Sequence, residues 1–184
     1  GTTGAPKGVM TSHRSMIANS TLSMLQGAAV SQDSSSKGID WAKHKPTSLL
    51  TSPLFHVSGL SAGVVTSLFA GSTTLLYAGK FSAHKILELI DKFNVTSWGG
   101  AVPTALKRVL DAANETNISL PSVLVVGGGG APMPPALIER TKEVFPSSKY
   151  SFGYGYGLTE SGAITIINWG ENLNSNPASP GQVM

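Results

Sequence analysis

Short apolar runs alternate with segments of helical periodicity along most of this 184-residue chain, and that alternation constrains its fold more than any other feature. A helix is expected over 15–29, where Ile17, Met24, Leu25 and Ala28 recur near helical spacing, and the polar stretch 31–45 reads as a surface loop. Strands are expected over 47–51, stopped by Pro53, and over 72–77; between them a helix over 60–69 ends at Gly71, a fitting residue just past a helix end. Ser82 caps a helix carrying Ile86, Leu89, Ile90 and Phe93 on one face. Strand 95–98 follows, then a helix opened by Pro103 with Leu106, Val109 and Leu110 inward. The pattern repeats with strand 123–126, helix 135–145 burying Leu137, Ile138, Thr141 and Val144, and strand 150–152. The Asn-, Ser- and Pro-rich tail 168–180 reads as loop. Strands separated by helices lie parallel, because the crossover carries the chain back to the same sheet edge. The expected fold class is therefore α/β, with a mixed, largely parallel sheet flanked by helices.

Composition removes several function classes. An apolar fraction of 41% against 12% charged residues suits a packed core and excludes a disordered chain. The net charge is +3, yet the 13 Lys and Arg are scattered rather than gathered into the stripe of a nucleic-acid binder, so no nucleic-acid partner is expected. Without cysteine, neither a disulfide framework nor a thiolate metal site can form, and a cytoplasmic setting is expected. The apolar stretch 60–70 is interrupted by Ser61, Thr66 and Ser67 and falls short of the roughly 20 residues of a membrane span. Peripheral membrane contact stays open. The chain opens inside a glycine-rich loop with no initiating Met and no leader, as a segment cut from a longer protein would.

Ligands of an open α/β sheet bind beyond the carboxyl ends of its strands. Three unusual segments are expected at that edge: Ser52-Pro53-Leu54-Phe55-His56-Val57-Ser58-Gly59, Gly127-Gly128-Gly129-Gly130-Ala131-Pro132, and Gly153-Tyr154-Gly155-Tyr156-Gly157-Leu158-Thr159-Glu160. Glycines there let a ligand approach backbone N–H groups with no Cβ in the way. The opening loop, Gly1-Thr2-Thr3-Gly4-Ala5-Pro6-Lys7-Gly8, joins flexible backbone donors to two hydroxyls and one ammonium, a set suited to phosphate oxygens, with a helix following. It is no Walker A loop, since Lys7 is followed by Gly8 and Val9 instead of Ser or Thr. The dinucleotide spacing also fails, because its third glycine would fall at Pro132 or Leu158. Taken singly, the glycine clusters also read as plain turns, Glu160 as a helix-cap carboxylate and His56 as a structural histidine. His13, His44, His84 and Trp41 sit in no motif and read as surface, and Trp98 reads equally as core or as the wall of an acyl tunnel.

Together, and in this order and spacing, Gly1 to Gly8, Pro53 to Gly59, Gly129-Gly130-Ala131-Pro132 and Tyr156-Gly157-Leu158-Thr159-Glu160 resemble the core motifs of the adenylate-forming (ANL) superfamily. Within it the chain resembles the acyl-CoA synthetases of the AMP-dependent synthetase and ligase family, and the resemblance covers essentially the whole chain. It implies part of the large N-terminal domain of such an enzyme, residues 1–184 being the central part of the AMP-binding domain. The implied reaction is ATP-dependent activation of a carboxylic acid, fatty or aryl, to an acyl-adenylate with release of pyrophosphate, followed by transfer to coenzyme A. ATP, Mg2+ and coenzyme A are thus the implied cofactors and cosubstrates, and a small-molecule carboxylic acid the substrate. By the same resemblance Gly1, Thr2, Thr3, Gly4 and Lys7 surround the β- and γ-phosphates. Thr159 hydrogen-bonds phosphate and Glu160 binds Mg2+. Gly129, Gly130, Ala131 and Pro132 wall the adenine, and Tyr156, beside Gly157, stacks on it. His56 lies near the carboxylate, and Thr159, Glu160 and His56 are the catalytic candidates.

Certain family features are missing from the chain: small hydroxyl residues before Gly1, and, beyond Met184, a ribose-binding Asp, the hinge and the C-terminal domain with its adenylation Lys. Met184 itself stands where a glycine is common. The resemblance thus implies a fragment short of full turnover. Two other readings stand beside it. An amino-acid-activating domain of a peptide synthetase would place an acid near His56 to pair with the substrate ammonium, and no Asp or Glu lies between Thr47 and Lys80. A nucleotide-binding module without catalysis is the third.

Overall fold

The computed structural model describes residues 4, 5 and 7–184. Helix α1 (His13–Ser36) starts at Ser12, whose hydroxyl accepts the Ser15 N–H at 3.1 Å, and leads to β1 (Thr47–Leu50). A continuous helix follows: α2 (Val57–Gly59), a π-helical stretch (Leu60–Val65) and α3 (Thr66–Phe69). Next come β2 (Thr73–Leu76), α4 (Ala83–Phe93), β3 (Ser97–Ala101), α5 (Pro103–Thr116), β4 (Val125–Gly129) and α6 (Pro135–Val144). The chain then forms β5 (Gly153–Leu158), β6 (Ala163–Trp169), α7 (Gly170–Ser175) and β7 (Gln182–Val183). These strands make one sheet in the order β2-β1-β3-β4-β5-β6-β7. From β2 to β5 every pair is parallel, and β5–β6 and β6–β7 are antiparallel.

Local chemistry sets the helix ends as the sequence suggests. The Ser82 hydroxyl accepts the Lys85 N–H at 3.3 Å, Pro103 and Pro135 open α5 and α6, and Asn94 and Asn117 close α4 and α5 in the left-handed region. Ile86, Ile90, Leu106, Val109, Leu110, Leu137, Ile138 and Val144 are all buried, each large apolar side chain contributing about 1.5–3 kcal/mol by leaving water. Trp98 is fully buried, meets the Phe145 ring edge-on at 6.2 Å, and donates its indole N–H to the Thr51 hydroxyl at 3.1 Å. It belongs to the core.

Several expectations fail. Residues 31–36 continue α1 instead of forming a loop: the Ser34 hydroxyl donates to the Val30 carbonyl at 2.7 Å and accepts the Trp41 indole N–H at 2.9 Å, which half-buries Trp41. Ile17, Met24 and Leu25 of α1 are exposed, and its buried residues are Asn19, Ser20, Val30 and Ser34. Phe93 likewise stays 43% exposed. The glycines at 127–129 and 153–157 lie inside β4 and β5, not in loops after them, and the strand expected over 150–152 begins only at Gly153. The tail contains the end of β6 and all of α7, while β6 itself was not foreseen.

Candidate active site

Because β1, β3, β4 and β5 run parallel, their carboxyl ends form one edge, and the motif-bearing segments leave from it. The exit of β1 is tied to the exit of β3 by the Ser52 hydroxyl, which donates to the Gly100 carbonyl at 3.3 Å. After that turn His56 caps α2 with its ring: Nδ1 accepts the Ser58 backbone N–H at 3.3 Å and lies 3.0 Å from the Ser58 hydroxyl. His56 is exposed, and its neighbour Phe55 is 94% exposed.

Two strands away, Gly129 pairs in register with Gly155. A Cβ at Gly129 would stand 2.9 Å from the Gly155 carbonyl oxygen, so the two strands approach as closely as they do only because that position is bare. Gly130 follows at φ +80°, turning the chain so that Ala131 and Pro132 emerge exposed while Met133 returns to the core. Gly129 to Pro132 thus make a ledge of small residues at the strand end.

Strand β5 carries its chemistry outward along its length. Gly153, Tyr154 and Gly155 are buried, whereas Tyr156, Gly157, Leu158, Thr159 and Glu160 are exposed. Thr159 and Glu160 sit in the turn that joins β5 to β6, where the Ser161 hydroxyl accepts the Leu158 N–H at 3.1 Å and lies 2.9 Å from the Ala163 carbonyl as donor. A one-residue irregularity near Tyr156 and Gly157 leaves Thr165 outside the pairing, and its hydroxyl donates to the Tyr156 carbonyl at 3.3 Å. Below the turn, the Tyr154 hydroxyl reaches the Pro177 and Ser179 carbonyls at 3.0 and 2.6 Å. The buried Asn168 amide donates to the Asn176 and Ser179 carbonyls at 3.0 and 2.9 Å, so the segment before β7 is latched to β5 and β6. Ser161, Tyr154 and Asn168 escaped the sequence reading. Only a hydroxyl two residues past Thr159 hinted at the turn.

Not every expected site residue meets the others. The edge brings together the exits carrying His56, Gly129, Gly130, Ala131, Pro132, Tyr156, Gly157, Thr159 and Glu160, with β1 and β4 on either side of β3 and β5 beside β4. Gly4 lies in a bend at φ +86° and Lys7 is exposed ahead of α1, and no hydrogen bond or ion pair among the described residues joins them to the sheet edge. Gly1, Thr2 and Thr3 lie outside the described residues. Among the described residues no three His, Cys, Asp or Glu side chains converge, and Glu160 is the carboxylate at the tip of the β5–β6 turn. A cleft of about 250 Å3 opens elsewhere, between α1, β6 and α7, lined by Gln26, Asp33, Trp169 and Glu171 among others. At the motif-bearing edge Phe55, His56, Ala131, Pro132 and residues 156–160 are exposed among the described residues.

A largely parallel sheet whose glycine-rich strand exits present small residues, an aromatic ring, a hydroxyl and one carboxylate at a common edge defines an open α/β domain of the kind that holds ligands beyond the carboxyl ends of its strands. The chain belongs to the AMP-binding enzyme family, whose model matches residues 1–184. It is 32% identical to a 4-coumarate–CoA ligase of Pinus taeda over 98% of its own length and 31% of the relative's. Among solved structures it is similar to the o-succinylbenzoate CoA synthetase of Bacillus subtilis in complex with ATP and magnesium ion. That match has 30% identity and a TM-score of 0.77, covering all of this chain and 34% of that one. The same synthetase in complex with its acyl-adenylate intermediate matches at 29% identity and a TM-score of 0.76, over all of this chain and 33% of the other. The chain thus spans about a third of the length of the proteins it matches.

Proposed function

We propose that this chain is the central part of the AMP-binding domain of an acid–CoA ligase. The parent protein joins a carboxylic acid, aryl or fatty, to the α-phosphate of ATP. A carboxylate oxygen forms the new bond to phosphorus, the bond to the β-phosphate breaks, and pyrophosphate leaves. The thiol of coenzyme A then attacks the acyl carbon and displaces AMP. The observation that carries this reading is the convergence of the β1, β4 and β5 exits on one edge, in a chain of the AMP-binding family. The Bacillus subtilis synthetase, similar over this whole chain, holds ATP with magnesium in one structure and an acyl-adenylate in another.

In this reading Gly129, Gly130, Ala131 and Pro132 receive the adenine, whose close approach small residues permit, and Tyr156 stacks on it beside Gly157. Thr159 donates to phosphate, and Lys7, with Gly1, Thr2, Thr3 and Gly4, neutralises the β- and γ-phosphates. Glu160 fits Mg2+: a single hard oxygen donor on an exposed turn suits an ion that keeps several waters and completes its shell with phosphate oxygens. That ion would offset charge on the departing pyrophosphate. His56 faces the carboxylate. A cytoplasmic location and a place in fatty-acid metabolism belong to the same proposal.

Carboxylate-dependent exchange of pyrophosphate into ATP by the full-length protein, run over a panel of acids, tests the reading. Exchange with aryl or fatty acids is expected. Exchange with amino acids alone would install the peptide-synthetase reading, against which the acid-free stretch from Thr47 to Lys80 argues. Nucleotide binding with no exchange for any acid would leave a non-catalytic module.

A further inference from the structure

We infer that Ser58 is a positioning residue that holds His56 in its Nε2–H tautomer, making the histidine a hydrogen-bond donor to the substrate carboxylate. The inference deepens the proposed function and rests on its placement of His56. A neutral imidazole has one nitrogen that donates and one that accepts, and the bond made by one fixes the role of the other. Both short contacts of the His56 ring fall on Nδ1: the Ser58 backbone N–H at 3.3 Å and the Ser58 hydroxyl at 3.0 Å. The backbone N–H can only donate, so Nδ1 must offer its lone pair. The hydroxyl can donate to the same lone pair. A proton on Nδ1 would instead face the Ser58 N–H, donor against donor, and the contact would be lost. The proton of the neutral ring therefore belongs on Nε2.

The consequence is chemical. The carboxylate that attacks the α-phosphorus is an anion with acceptor oxygens only. A ring presenting Nε2–H can hold one oxygen while the other attacks; a ring presenting an Nε2 lone pair would repel both. Ser58 thereby acts on the substrate through the histidine, with no contact of its own required.

The test uses the full-length protein with 15N-labelled histidine, the His56 signals being assigned by their loss in His56→Gln. The wild-type ring should show an unprotonated Nδ1 and a protonated Nε2 in the neutral form. Ser58→Ala keeps the backbone donor but removes the hydroxyl, and should raise the Nδ1–H population. Its KM for the carboxylate in pyrophosphate exchange should rise about fivefold, within the range for weakening one hydrogen bond to a charged group, with the KM for ATP unchanged. Ser58→Thr restores the hydroxyl and should restore both readings. A wild-type ring protonated on Nδ1 overturns the positioning role, and a tautomer balance indifferent to Ser58→Ala overturns the part of the hydroxyl in it and leaves the backbone N–H alone to fix the ring. A shifted tautomer with an unchanged carboxylate KM overturns the donor role of His56. If no acid supports exchange, the proposed function fails, while the nitrogen shifts still decide the tautomer.

Discussion

Gly157→Ala gives the sharpest structural test, because the conformation of Gly157 is open to alanine and the obstacle is the neighbouring strand. A Cβ there would stand 2.0 Å from the Ala163 carbonyl oxygen, 2.7 Å from its carbon and 2.8 Å from the Ile164 Cα, whereas ordinary contact begins near 3.4 Å. The colliding atoms are backbone and cannot rotate away. They are also pinned, since the Ser161 hydroxyl donates to the Ala163 carbonyl at 2.9 Å and the Asn19 amide of α1 to the Ile164 carbonyl at 3.3 Å. Relief requires parting the β5 and β6 arms. Overpacking of this kind costs about 1–3 kcal/mol, and each of the two strained hydrogen bonds about 1 more, for a total of about 3–5 kcal/mol. Amide hydrogen exchange of the full-length protein should show lost protection along 153–169, and pyrophosphate exchange should fall because Thr159 and Glu160 ride on the parted turn. Gly162→Ala is the control. Gly162 sits at φ +84° with nothing within 4 Å of an added Cβ, so its cost is the left-handed strain alone, about 1–2 kcal/mol, confined to the turn. Wild-type protection in Gly157→Ala would refute the close-approach argument.

Other outcomes follow from single contacts. Trp98→Phe removes the indole donor to Thr51 and leaves a small void, and urea unfolding should show about 2 kcal/mol lost with exchange activity retained; lost activity at unchanged stability would instead place Trp98 on the acyl path. The Asp111 carboxyl is held below the ordinary carboxylate range by the Lys107 ammonium and then by the Arg140 guanidinium, at 2.6 and 2.8 Å. A lowered folded value means stability that is present above the unfolded pKa and lost as pH falls through the folded one. The advantage of wild type over Asp111→Asn should therefore shrink as urea titrations are taken down through the carboxylate range, and a constant difference would contradict the pairing.

The sequence made legible those elements whose signals are local. Ser82, Pro103 and Pro135 mark helix starts by chemistry that acts within one turn, and the apolar faces of α4, α5 and α6 are read at the same range, Phe93 excepted. What failed depends on distant partners. Glycine reads as loop because isolated strands disfavour it, yet in β4 and β5 it serves the close approach of Gly129 to Gly155 and of Gly157 to Ala163, which only the assembled sheet reveals. Strand β6 escaped because its pairing with β5 is antiparallel, outside the helix-crossover pattern that the rest of the chain follows. The end of α1 was lost to its run of serines, of which Ser34 finds its partners in Val30 and Trp41. For the candidate site, the order of the motifs was readable and the shared edge followed from parallel strands; the cap on His56 and the Ser161 turn were not, being side-chain geometry.

The central claim is that these strand exits hold ATP with its metal for attack by a carboxylate. Its most direct test is pyrophosphate exchange by the full-length protein, with an accepted acid, as a function of Mg2+ concentration, comparing wild type with Glu160→Ala and Lys7→Ala. The account predicts a fall of about 100-fold or more in both variants, with Glu160→Ala also demanding more Mg2+. Wild-type rates and wild-type Mg2+ dependence in Glu160→Ala would contradict it.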